Sequence, residues 1–302
     1  MPMIQYIHKR ISADKLRLIE QANDIIDIFK AQGYQLTLRQ LYYQFVSRDL
    51  IPNNQKSYNR LGNVISDGRM LGLIDWEDIS DRLREIRSVG DWESPASAMR
   101  SMAHWFKIDL WEGQEYRPEV WVEKDALAEV VERAAHALRV SVMVCRGYMS
   151  QSAMWEAGHD RYKEWVDQGV TPVVIHLGDH DPSGIDMTRD IKDRLEMFAD
   201  GEVEVRRIAL NMDQVEQYNP PPNPAKITDS RAEGYIAIHG DESWELDALE
   251  PRVLSKLIQD EILSVRDERK WKRKVREENE HKANLELLSD NYEAVLKYAQ
   301  KV

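Results

Sequence analysis

From about residue 117 the chain alternates two textures: EVWVE, DALAEVVERAAHAL, VSVMVC, QSAMWEAGHDRYKEWV, PVVIHLG, IDMTRDIKDRLEMF and VEVRRIAL. Short continuous apolar runs between stretches of helical spacing spell β-α-β-α-β-α-β. Such an order satisfies its backbone hydrogen bonds and buries its apolar faces as a parallel sheet covered by helices on both sides. Residues before this region read differently. Ser12 caps a first helix over residues 12–31 with apolar positions Leu16, Ile19, Ala22, Ile25, Ile26 and Phe29. A second helix starts at TLRQLYYQFVSRDL, where Thr37 and Gln40 have the spacing of a capping box. A third, SYNRLGNVISDGRMLGLI, carries Leu61, Val64, Ile65 and Leu71 on one side, and IDWEDISDRLREI follows. Three short helices with this continuation outline a winged-helix module, in which Arg60 and Asn63 lie opposite the apolar stripe and are candidates for DNA contact.

Charge is unevenly shared. The whole chain of 302 residues carries a net charge of -12, yet residues 1–90 hold 13 Lys and Arg against 11 Asp and Glu, with 28 against 42 in the remainder. A polyanion is least repelled by the first segment. The acidic remainder suits carboxylates gathered around a cation. No apolar run approaches the roughly 18 residues of a membrane span, and the N-terminus lacks a signal-peptide core. One cysteine, Cys145 in VSVMVC, excludes an internal disulfide and suits a reducing, cytoplasmic compartment as a buried, inert thiol. The proline-rich YNPPPNPAKITDSR predicts an ordered crossing or surface loop. The tail RDERKWKRKVREENEHK predicts a solvated helix.

The strand PVVIHLG ends in DHDPSGIDM. Residues two apart on a strand share a face, so Asp179 and Asp181 point together while His180 points away. Ligands of open parallel sheets sit beyond the carboxyl ends of the strands, and Glu123 closes EVWVE at another such end. Three carboxylates at one rim repel unless they share a hard cation, and an oxygen-only set favours Mg²⁺, with Mn²⁺ as the alternative. Ser183 is placed to cap the next helix, which contains Asp186.

A glutamate after the first strand and a D-x-D after a later one resemble the Toprim domain of topoisomerases, primases and some nucleases. VCRGYMSQSAMW and DHDPSGIDM are similar to two stretches of the topoisomerase VI A subunit, and RQLYY at residues 39–43 resembles the Arg-x-x-x-Tyr motif carrying the catalytic tyrosine there and in its meiotic double-strand-break relative. A winged helix before a Toprim domain is also that family's order. The resemblance covers roughly residues 12–250, and its specificity lies in three motifs in the right order.

The resemblance implies an α/β protein with a winged-helix DNA-binding domain over 1–100, a Toprim metal-binding domain over 101–265 and a charged helical tail over 266–302. It implies a topoisomerase-like, Mg²⁺-dependent DNA cleavage in which Tyr43 attacks a phosphodiester and forms a phosphotyrosyl link, assisted by Arg39. Glu123, Asp179 and Asp181 hold the metal, Lys124 contacts phosphate, and Arg146, Gly147 and Tyr148 line the site, with arginine where the family usually has lysine. Double-stranded DNA, a second copy of the chain and a separate ATPase subunit are the implied partners, in a cytoplasmic, nucleoid-associated setting, and the compact length fits a phage or mobile element. Periodicity independently assigns Leu38, Leu41, Tyr42, Phe45 and Val46 to the core face of the second helix, leaving Tyr43 off it and beside Arg39. Two other readings stand beside this one. In the first, a nuclease hydrolyses DNA with a metal-activated water and uses Tyr43 as a DNA contact; in the second, the protein is a non-catalytic winged-helix DNA binder.

Overall fold

Ser12 accepts the Lys15 N–H and starts helix α1 (Ala13–Ala31), whose inner face buries Leu18, Ile19, Ala22, Ile25, Ile26 and Phe29. Each such large side chain removed from water contributes about 1.5–3 kcal/mol. Leu16, expected on that face, is exposed, and Leu18 takes the inward place. The computed structural model describes residues 3–80, 91–225 and 231–301. Strand β1 (Leu36–Thr37) leads into helix α2 (Leu38–Ser47), where both bonds of the Thr37–Gln40 capping box form. Helix α3 (Gln55–Met70) is capped by Asn54, and strand β2 (Ile79–Ser80) pairs with β1 in parallel. Residues 81–86 of the segment expected to complete the winged helix lie outside the described residues.

Helix α4 (Pro95–Trp105) spans residue 100, the expected edge of the first domain. The expected β/α alternation then follows in order: β3 (Tyr116–Val122), α5 (Ala128–His136), β4 (Ser141–Val144), α6 (Gln151–Trp155), a wider helical turn at Glu156–Tyr162, α7 (Lys163–Asp167), β5 (Thr171–Leu177), α8 (Pro182–Ala199) and β6 (Glu204–Ala209). The four strands form one parallel sheet in the order β4-β3-β5-β6, so the protein is an α/β fold. Alternate residues serve opposite faces. Val120 and Val122 pack towards α5 and the helix at Pro251–Ser264, while Trp121 packs with Met154, Tyr162, Ile191 and Leu195 on the other side.

Beyond β6, α9 (Met212–Tyr218) precedes the proline-rich crossing. Within that crossing β7 (Asn223–Pro224) pairs antiparallel with β8 (Glu242–Ser243), which follows helix α10 (Ala232–His239), and residues 226–230 of the crossing lie outside the described residues. Helix α11 (Pro251–Ser264) packs on the sheet through Leu254, Ile258 and Ile262. The charged tail forms α12 (Glu268–Asp290) and α13 (Tyr292–Ala299). It is not wholly solvated: α12 packs on α4, buries Glu278 against Arg139 and the Ile108 N–H, and places Trp271 on Trp111. A surface rich in both signs can still dock when its few inward groups find partners, as Glu278 does. Among the described residues no helix is long and apolar enough to cross a membrane.

Candidate functional site

Register decides where the acids meet. Val122 pairs with both Val144 and Leu177, so β4, β3 and β5 end level, and the residues that follow them share one rim. Glu123 leaves β3 there, and its Oε2 accepts the Asp179 N–H at 3.1 Å. Asp179 is buried; its Oδ1 accepts the Leu246 N–H at 2.8 Å and lies 2.9 Å from the Lys124 ammonium. Asp181 is the N-cap of α8, its Oδ1 accepting the Gly184 N–H at 2.7 Å with Pro182 in the first turn. This corrects the expectation that Ser183 caps the helix. The helix starts two residues earlier because proline fits its first position and has no N–H to satisfy. Glycine at 184 has a steric reason as well, since a Cβ there would overlap the Asp179 carbonyl.

Arg207, which sequence reasoning missed, fastens this corner from β6. Its guanidinium donates to the carbonyls of Gly178 at 3.0 Å, Asp179 at 2.7 Å and Gly184 at 2.8 Å. It therefore holds the strand end and the helix start together. Burial lowers its pKa to about 10, while the neighbouring acids keep it charged. His180 points away from the acids, as expected: its backbone pairs with Trp244, and its Nδ1 lies 2.8 Å from the Tyr235 hydroxyl.

Arg39 and Tyr43 approach the same corner from α2. The guanidinium of Arg39 lies 5.8 Å from the Tyr43 ring centre, as their spacing predicts. One expectation is corrected here. Tyr43 is not off the core: it is 5% exposed, as is Tyr42, because α2 packs on α1 and α3 on one side and on residues 246–248 on the other. Periodicity reveals one buried face and cannot reveal a second neighbour. Arg39 is itself paired with acids. It forms ion pairs with Glu245 and, at 2.7 Å, with Asp247; Lys124 pairs with the same two acids as well as with Asp179. Glu245 and Asp247 were also missed, although their alternation within the apolar SWELDALE was a usable signal.

The result is one connected cluster. Among the described residues, five carboxylates (Glu123, Asp179, Asp181, Glu245, Asp247) and three cations (Lys124, Arg39, Arg207) gather here. Burial pushes Asp179 up to about 7, against the pull of Lys124 and with a further push from Glu123. Burial likewise raises Glu123, and Asp181 adds to the effect. Glu245 goes the other way: despite burial, Lys124 and Arg39 hold it down to about 2. Tyr43 is pushed up by burial and by Asp247 and Glu245, more than Arg39 lowers it. Cys145 behind the rim is buried and pushed up to about 12, consistent with an inert thiol.

An oxygen-only donor set of carboxylates fits a hard divalent cation in its chemistry. Its present bonding holds the set apart, however. The backbone donors at Asp179, Leu246 and Gly184 each occupy a carboxylate oxygen, and among the described residues no three His, Cys, Asp or Glu side chains converge on a common metal position.

The remaining expected residues do not join the cluster. Arg146 and Gly147 form a left-handed turn after β4, with φ of 52° and 90°. Arg146 is exposed and pairs with Asp125 at 2.9 Å, and Tyr148 donates to Asp186 on α8 at 2.7 Å under the Arg231 guanidinium. Arg60 and Asn63 are exposed on α3, opposite Leu61, Val64 and Ile65, and distant in the chain from the acids.

No protein-family model matches this chain, and no curated protein matches it.

Proposed function

We propose that this chain is a divalent-cation-dependent enzyme that cleaves DNA phosphodiesters, built as a winged-helix module followed by a Toprim-like domain, with Glu123, Asp179 and Asp181 as the metal-holding residues. The observation that carries the reading is the placement of these three carboxylates at the level carboxyl ends of neighbouring parallel strands, where such sheets bind ligands. Mg²⁺ or Mn²⁺ bound there would supply charge to orient a phosphate and acidify a water.

The chain's own residues do the rest. Lys124 and Arg39 are the cations nearest the acids, and releasing either from Glu245 makes it a partner for a phosphate oxygen. Arg207 fixes the relative position of Asp179 and Asp181 by holding their backbone. Arg60 and Asn63 are presented on α3 as the DNA-contacting face.

Tyr43 favours the hydrolytic form of this activity. A nucleophilic phenol needs a lowered pKa or an adjacent base, whereas Tyr43 is buried beside two acids that hold its proton. It is therefore assigned to DNA contact. The tyrosine-nucleophile reading, with a homodimer to make a double-strand break, has one observation in its favour: Tyr43 and Arg39 both line an open cavity of about 250 Å³.

The test is DNA incubated with Mg²⁺ or Mn²⁺ and stopped with denaturant. Cleaved ends that survive Tyr43→Phe and vanish with Asp179→Asn are expected. A covalent protein–DNA adduct lost in Tyr43→Phe would establish the tyrosine mechanism instead. No cleavage with either ion would leave a DNA-binding protein.

A further inference from the structure

The cavity beside Arg39 has a lining that phosphate chemistry does not explain. Three tyrosines surround it: Tyr42 stands edge-on to Tyr43 with ring centres 5.4 Å apart, and to Tyr58 at 5.3 Å. Amide side chains from the turn before α3 and from its first residue, together with Asn223 from the proline-rich crossing, complete the wall. Part of this wall is braced. The Tyr42 hydroxyl donates to Asn53 Oδ1 at 2.9 Å, and Asn53 Nδ2 donates to Asn223 Oδ1 at 2.7 Å, tying the helical module to the crossing.

The rest is unspent. Asn54 uses its Oδ1 on the Ser57 N–H, Gln55 uses its Nε2 on Asn59, and Asn223 uses its Oδ1 on Asn53. The opposite atom of each amide, and the hydroxyls of Tyr43 and Tyr58, make no hydrogen bond among the described residues. Aromatic faces with mixed donors and acceptors are what a nucleobase requires, because every base offers a π-face and an edge of alternating donors and acceptors. At about 250 Å³ the space lies below the roughly 300–1,000 Å³ of drug-sized sites, which suits one flat base rather than a base pair. Arg39 at its wall stands where the attached phosphate would lie, with Glu245 now in that place.

We propose that this cavity receives one unpaired base of a DNA strand, stacked against Tyr58 and hydrogen-bonded by Asn54, Gln55 and Asn223, while the phosphate of that nucleotide displaces Glu245 from Arg39. The proposal rests on the DNA-cleaving reading for its choice of DNA, and it deepens that reading: the substrate is a single-stranded or locally opened strand, with a base withdrawn from the stack beside the acid rim.

The test needs no cleavage. Single-stranded DNA carrying one 2-aminopurine is titrated with the full chain in the presence of chelator, and fluorescence and affinity are read together. A fluorescence change on binding is expected. Tyr58→Leu should abolish it and weaken affinity on the order of tenfold or more, whereas Tyr58→Phe, which keeps the aromatic face, should preserve both. Asn223→Ala, in a different segment of the lining and outside any helix, provides a second route should Tyr58→Leu fail to fold. Unchanged affinity and fluorescence in a folded Tyr58→Leu or Asn223→Ala overturns the proposal. So does an equal signal from free 2-aminopurine deoxyribonucleoside monophosphate, which would assign the cavity to mononucleotides. Cleavage is assayed separately on the same strand with Mg²⁺. Its loss alongside an intact base signal counts against the enzyme, and its persistence without any base signal counts against the cavity alone.

Discussion

The two sides of the cluster, the acid rim of the sheet and the tyrosine face of α2, are built from similar charges but held by different means. At the rim, Asp179 and Lys124 are largely buried, and the supporting bonds come from backbone that cannot move away: the Leu246 N–H and the carbonyls under Arg207. On the α2 side, Arg39 is 45% exposed in its side chain, and its partners are carboxylates it shares with Lys124. The rim is thus a fixed centre and the α2 side an exchangeable one. The same residue types differ in strength because desolvation amplifies charge interactions, and because an exposed ion pair is replaceable by water.

Removing one cation from each side gives the largest contrast. Lys124→Met leaves Asp179, Glu245 and Asp247 facing one another without their shared ammonium, and is expected to cost about 3–5 kcal/mol of stability. Arg39→Met, at the half-exposed position, should cost about 1 kcal/mol or less. Urea unfolding of both variants reads the difference, and equal losses would erase the distinction between the two sides.

Acid should weaken the sheet that carries the rim. His176 on β5 is buried with its Nδ1 2.8 Å from the Thr188 hydroxyl, and burial, with Arg207 nearby, lowers its pKa to about 3. The unfolded chain binds a proton at this residue below about pH 6.5, and the folded chain does not until about 3. Stability contributed by the neutral ring is therefore present above that window and falls as pH drops through it, by about 1.4 kcal/mol per pH unit. His176→Gln should have a shallower acid slope than the parent protein in urea titrations across that window; identical slopes would show that His176 does not contribute.

The smallest effect separates two neighbours within the rim. Asp181→Ala loses the cap of α8 and should cost about 1 kcal/mol, whereas Ser183→Ala should stay within about 0.5 kcal/mol. The reverse order in thermal melts would restore Ser183 as the cap.

Much of this architecture is legible in the sequence alone. The strands ending in Val122 and Leu177 are continuous apolar runs bounded by acids, and a parallel sheet is the arrangement that buries such runs on both faces. The first two helix starts were legible for a local reason: Ser12 and Thr37 each satisfy an N–H three residues away, so the signal and the structure share one stretch of chain. Tyr43 was misread because its second neighbour, residues 246–248, comes from some 200 positions downstream. Arg207, Glu245 and Asp247 were missed for the same reason.

By itself, then, the sequence determined the α/β alternation, the capped starts of the first two helices and the placement of Glu123, Asp179 and Asp181 at one rim, because periodicity, capping and strand polarity act between near neighbours. Only the tertiary structure decided that Tyr43 is buried, that Arg39 and Lys124 are joined through Glu245, and that a cavity opens between α2, the turn before α3 and the crossing at Asn223. These depend on which distant segments share a desolvated space, where a carboxylate's partner is set by packing and not by its position in the chain.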